Sequence, residues 1–196
     1  MSLEHISREE YFKVFENLAR LGKPYYNEIL SKTGYSTYGL PENYTNIFLK
    51  LKEIFSSFNK KKILEIGAGP GYLLYILKQF NADVYAIERR NFKEIAEKNG
   101  INFIHTDIFD ITVRANLKTF DVIISRTFLE SPVLSHGQVE AILKLTKPLS
   151  ELQVHEVSFG TGYFHSINLD KFGYNIISYE VVPFLIPTEI YVLRVK

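Results

Sequence analysis

The sequence predicts an α/β fold: a seven-stranded, mostly parallel sheet with helices on both faces, an antiparallel last strand and a helical N-terminal cap. Three observations carry this reading. From Lys62 onward, short β-branched runs alternate with helical stretches. A glycine-rich turn, I63-L-E-I-G-A-G-P-G-Y-L73, joins the first of those runs to the helix after it. Near the end, two strand-like runs are separated only by V182-P-F-L-I-P187, too short a link for a helical crossover, so they should pair antiparallel.

The front of the chain reads as helices. Ser7-Arg8-Glu9-Glu10 is a capping-box pattern, and Tyr11, Phe12, Phe15, Leu18 and Leu21 recur at helical spacing. Gly22 and Pro24 are expected to stop this helix, with further helices over 24–32 and 41–58. The strands are expected at 63–66, 84–87, 102–104, 122–124, 152–157, 174–182 and 189–195, with helices over 72–80, 92–98 and 138–145. The basic run Lys60-Lys61-Lys62 reads as a solvated linker, so residues 1–59 form the cap and 60–196 the sheet-bearing domain.

Composition narrows the chemistry. The 196 residues carry a formal net charge of +1, which supplies no long-range attraction to nucleic acid. There is no cysteine, so disulfides, thiolate metal sites and thiol nucleophiles are excluded. The five histidines show no metal-ligand spacing, and no metal is expected. No apolar run is long enough to span a bilayer, and a soluble cytoplasmic protein is expected.

Gly67, Gly69 and Gly71 bring bare backbone to a helix start, where a ligand can approach closely. Dinucleotides and S-adenosylmethionine both use such a turn. A dinucleotide needs G-x-G-x-x-G, but Tyr72 stands where the third glycine belongs. Glu65 beside the turn repels a pyrophosphate and favours a cation, so charge prefers S-adenosylmethionine. Glu88 follows Gly67 by about twenty residues, the spacing at which a carboxylate reaches ribose hydroxyls. Asp107 ends the third strand, within reach of an adenine amino group, and Ile108 or Phe109 can pack on the ring.

In E65-I-G-A-G-P-G71, Glu88, T106-D-I108 and F120-D-V-I-I-S125, the chain from about residue 60 resembles the class I S-adenosylmethionine-dependent methyltransferases. The resemblance implies a Rossmann-like three-layer sandwich. It also implies that Glu65 lies near the methionine moiety, that Gly67, Ala68, Gly69 and Gly71 lie against the cofactor, that Glu88 holds the ribose and Asp107 the adenine, and that Ile108 and Ser125 complete the cofactor set.

Acceptor signals are weaker. S125-R-T-F-L-E130 occupies the place where these enzymes face the methyl acceptor; an Asn-Pro-Pro-Tyr type of tetrapeptide is absent. Arg126 either holds a carboxylate or phosphate of the acceptor or pairs with Glu130 one helical turn on. His136, read as a loop residue, and Glu130 are the candidate bases. His105 stands near the cofactor edge, His155 packs on the sheet and His165 lies on the rim. G34-Y-S-T-Y-G-L40 in the tyrosine-rich front is either core packing or a lid. The expected acceptor is a small molecule, ahead of RNA. The rival readings are a nicotinamide-dependent oxidoreductase and a non-catalytic S-adenosylmethionine-binding module.

Overall fold

The structure, a computed structural model, describes residues 6–37, 39–110, 119–129, 134–158, 164–182 and 188–196. The sheet is built from β1 (Lys62–Ile66), β2 (Asp83–Glu88), β3 (Asn102–His105), β4 (Val122–Arg126), β5 (Leu152–Ser158), β6 (Tyr174–Val182) and β7 (Thr188–Val195). They run in the order β3-β2-β1-β4-β5-β7-β6. The first five strands pair parallel, and β7 is antiparallel to both β5 and β6. The two closing strands thus form the expected antiparallel pair.

Alternation along the strands divides the core into two layers. On one face Ile63, Val84, Val122, Ile124, Val154 and Val192 pack against α1 (Arg8–Thr33), α2 (Thr45–Ile54), α3 (Tyr72–Gln79) and α4 (Lys93–Lys98). On the other, Leu64, Ile66, Ile123, Val157 and Leu193 pack with Val139, Ile142 and Leu143 of α5 (His136–Thr146). The N-terminal helices share one apolar cluster with the sheet.

The expected break at Gly22 and Pro24 does not occur. Helix α1 runs unbroken from the Ser7 capping box to a left-handed cap at Gly34, with Pro24 inside it. Leu18, Gly22, Tyr25 and Ile29 form one buried stripe along it, and burying that stripe outweighs the hydrogen bond lost at the proline. Gly22 is there for closeness, because a Cβ on it would lie 2.7 Å from the Tyr44 hydroxyl. The segment expected as helix over 41–58 is a 3₁₀ turn, Pro41–Asn43, followed by α2, which ends at Ile54.

Polar stitches fix the cap to the far end of the sheet. Tyr11 Oη donates to Asn46 Oδ1 at 2.8 Å, and Asn46 Nδ2 donates to Thr188 Oγ1 at 2.9 Å. Lys50, 2% exposed, forms an ion pair with Glu180 of β6 and another with Glu53 at 3.0 Å. Among the described residues no helix is long and apolar enough to cross a membrane.

Candidate active site

The turn after β1 is locked into the sheet before any ligand is considered. Gly67 and Ala68 both donate backbone N–H groups to the Ile87 carbonyl, at 2.9 and 3.3 Å. Gly67, Gly69 and Gly71 have φ of +67°, +55° and +83°, a region that side chains disfavour. Gly71 caps α3, so the turn presents its backbone at the start of that helix. The first position needs bareness for a protein reason as well: a Cβ on Gly67 would lie 2.3 Å from Cδ2 of Phe128.

This turn forms one wall of a cleft of about 230 Å³ at the carboxyl ends of β1, β2, β3 and β4. Glu88, the last residue of β2, lies in it with both carboxylate oxygens engaged: Gly69 N–H donates to Oε2 at 2.9 Å and Arg90 N–H donates to Oε1 at 2.8 Å. Each oxygen keeps a second lone pair. Asp107 lines the next part of the wall; its Oδ1 accepts from Phe109 N–H at 3.0 Å, which fixes the loop after β3. Ile108 beside it is buried in the second apolar layer and also lines the cleft.

The α1–α2 connection closes one side. Tyr25 Oη donates to the Pro70 carbonyl at 2.6 Å, and Tyr72 Oη donates to the Tyr35 carbonyl at 3.1 Å. Tyr35 and Thr37 line the cleft, the Arg90 guanidinium sits 5.4 Å from the Tyr35 ring centroid, and the Tyr35 and Phe92 rings are 5.1 Å apart. Of the sequence 34–40, Tyr38 lies outside the described residues.

Glu65 and Arg126 hold each other. Arg126 ends β4 on the same face as Glu65, and its Nε donates to Glu65 Oε1 at 2.7 Å. Its Nη1 donates to the Asn43 carbonyl at 3.1 Å, tying the strand to the cap. Burial pushes the Glu65 carboxyl up from its ordinary value, against the pull of Arg126. Burial also opposes the guanidinium's charge, but Glu65, Glu156 and Tyr44 together more than offset it and the Arg126 pKa is raised. Glu65 is fully buried behind Arg126 and does not line the cleft, whereas Arg126 does. The sequence offered Glu130 as the partner of Arg126; Glu130 lies outside the described residues, and Glu65 occupies the guanidinium.

Two expectations change. Ser125 does not face the cleft: one residue before Arg126, it points to the opposite face, fully buried, with Oγ 2.8 Å from His155 Nδ1. His155 in turn reaches Gln153 Oε1 at 3.0 Å, and burial holds its pKa down to about 3, so the ring is neutral and Nε2 carries its proton. His136 is not a loop base. Ser135 and Gln138 form a capping box, which makes His136 the first residue of α5, half-buried and 3.6 Å from Glu140. His105 is exposed with Nε2 2.9 Å from the Arg89 carbonyl, off the cleft. Among the described residues lining the cleft there is no histidine or lysine.

Sequence reasoning placed Thr127 and Phe128 in the acceptor-facing stretch without giving either a role, and passed over Gln138; all three are at the cleft. Thr127 has φ +50°, a strained setting for a β-branched residue, held by its N–H to the Glu156 carbonyl at 2.8 Å. Only the S135-H-G-Q138 capping pattern was a readable signal among these.

The model of the FtsJ-like methyltransferase family matches residues 45–178, well over half of the chain. The chain belongs to this family. It is therefore an S-adenosylmethionine-dependent methyltransferase, as its class I fold indicates. Solved structures share the FtsJ-like chain's fold at low identity. Magnesium protoporphyrin IX methyltransferase from Synechocystis, solved with bound S-adenosylmethionine, superposes with TM-score 0.63 at 13% identity, covering 95% of this chain and 97% of that one. A TehB-like methyltransferase from Corynebacterium glutamicum gives TM-score 0.63 at 17% identity, over 92% and 99% of the two chains. A putative RNA methyltransferase from Pyrococcus horikoshii gives 0.62 at 13%, over 92% and 98%. No match was found among curated protein sequences.

The cleft fits the cofactor this family uses. Its acidic side chains, Glu88 and Asp107, are acceptors suited to ribose hydroxyls and an exocyclic amine. It is a poor fit for a pyrophosphate, because the Gly69 N–H at the turn is already given to the Glu88 carboxylate.

Proposed function

We propose that this cleft binds S-adenosylmethionine and delivers its methyl group in line to an acceptor entering beside Phe128 and Thr127. The observation that carries the reading is the position of Glu88, held by two backbone N–H groups directly against the glycine turn. Fixed in this way, its carboxylate accepts from the ribose hydroxyls with little ordering cost. Asp107 takes the adenine amino group, Ile108 packs beside the ring, and Gly67, Ala68, Gly69 and Gly71 lie along the cofactor. Glu65 acts from behind, through Arg126.

The cofactor supplies an electrophilic methyl group on a sulfonium. The protein's own contribution is position: two reactants held in one orientation react as one molecule, which is worth up to roughly 7–11 kcal/mol of barrier. Phe128 and Leu134 supply apolar wall at the cleft. No histidine or lysine lines it among the described residues, so the reading assigns no general base and favours an acceptor that is nucleophilic without one.

The acceptor is a small molecule in this reading, in keeping with a net charge of +1, and the reading places the protein in the cytoplasm. RNA is the second reading, supported by Arg89 and Arg90 at the cleft wall and by the RNA methyltransferase among the structural neighbours. Incubation with tritiated-methyl S-adenosylmethionine and separate pools of small metabolites, RNA and protein tests this. Label in the small-molecule pool supports the first reading, label in RNA moves the acceptor to the second, and no label with any pool overturns methyl transfer.

A further inference from the structure

We infer that Arg126 is the receptor for the α-carboxylate of the cofactor's amino-acid end. The inference rests on the reading that the cleft binds S-adenosylmethionine. Arg126 is the one buried cation lining the cleft among the described residues, 8% exposed at the end of β4. Taking a guanidinium out of water costs several kcal/mol, and a structure retains it where its donors are used. Two of its three nitrogens are used: Nε on Glu65 and Nη1 on the Asn43 carbonyl. Nη2 has no hydrogen-bond partner among the described residues.

The two contacts do more than neutralise the charge. A carboxylate behind Nε and a carbonyl beside Nη1 fix the guanidinium plane. Arg126 lines the cleft, so a ligand there meets a guanidinium already fixed, with little further loss of side-chain freedom. A planar fork with one edge open matches a carboxylate. Glu88 and Asp107 place the adenosyl part over β2 and β3, so the amino-acid end extends towards β1 and β4, where Arg126 stands. The neighbouring charges belong in the account: Glu65 and Glu156 act on Arg126 from the same face, and Tyr44 lies near. These keep the residue charged, and of the two carboxylates and the guanidinium only the guanidinium lines the cleft.

The test is calorimetric and uses two ligands, S-adenosylhomocysteine and its decarboxylated analogue, which keeps the ammonium. Wild type should prefer S-adenosylhomocysteine by about 10- to 100-fold, as expected for charge-assisted hydrogen bonds. In the double variant Glu65→Gln with Arg126→Gln, which removes the guanidinium together with the carboxylate it is hydrogen-bonded to, the preference should fall to about one while affinity for the analogue is kept. Glu65→Gln alone, which retains Arg126, should keep the preference. Equal losses for both ligands would make Arg126 a scaffold residue and overturn the inference. Undiminished preference in the double variant would also overturn it and return Arg126 to an anion of the acceptor. If wild type binds neither ligand, the cofactor-site reading itself fails, and this inference with it.

Discussion

The ring of Phe128, in the loop after β4, fills the space that a side chain on Gly67, at the end of β1, would need. Two chain segments far apart in sequence thus meet at the floor of the cleft, and the bareness of the first glycine serves the protein before it serves a ligand. Gly67→Ala carries two penalties: a left-handed φ of +67°, costing roughly 1–2 kcal/mol, and overpacking against the ring, costing about 1–3 more. Urea unfolding should show Gly67→Ala destabilised by the sum. In a Phe128→Ala background the same change should cost only the backbone part. Equal costs in both backgrounds would show that the ring does not press on the turn.

The Glu65–Arg126 pair gives a second expectation. With Glu65 fully buried and Arg126 nearly so, removing either partner leaves a charge without its counter-ion, which costs about 3–5 kcal/mol. Arg126→Gln or Glu65→Gln alone should each fall in that range in denaturant melts. The double variant should be less destabilised than the sum of the singles, by more than about 1 kcal/mol. Additive losses would mean that the two side chains do not depend on each other.

A pH dependence follows from His155. Its folded pKa is held down to about 3 by burial, below the ordinary 6.5 of an unfolded histidine. The folded state therefore binds fewer protons than the unfolded state between those values. Stability from this group is complete above pH 6.5 and is lost as the pH falls towards 3, at ~1.4 kcal/mol per pH unit. Between pH 7 and pH 5 the loss should be about 2 kcal/mol, read from urea midpoints. His155→Gln should flatten that slope, and a slope unchanged by the substitution would place its origin elsewhere.

Much of the fold was legible because its signals are local. Strands 63–66, 84–87 and 122–124 announce themselves by β-branched runs, and the glycines between β1 and α3 by composition. The helix through Pro24 was not legible, since the buried stripe that overrides the proline is a tertiary effect. At the site, Glu88 and Asp107 were readable from their places after strands, and both line the cleft. The partner of Arg126 was not, because Glu65 lies on another strand and nearness in sequence pointed to Glu130. That the Ser125 side chain turns away from the cleft was legible in the strand: Val122, Ile124 and Arg126 alternate with Ile123 and Ser125, so adjacent residues face opposite layers. His136 likewise stood inside an S-x-x-Q capping box that marks a helix start.

The central claim, that Glu88 and Asp107 beside the glycine turn hold S-adenosylmethionine, is tested most directly by calorimetric titration with S-adenosylhomocysteine of the wild type, Glu88→Ala and Asp107→Ala. The expected result is one site in the wild type, weakened about tenfold or more by each substitution, as for hydrogen bonds to charged groups. No binding to wild type, or affinities that neither substitution changes, would contradict it.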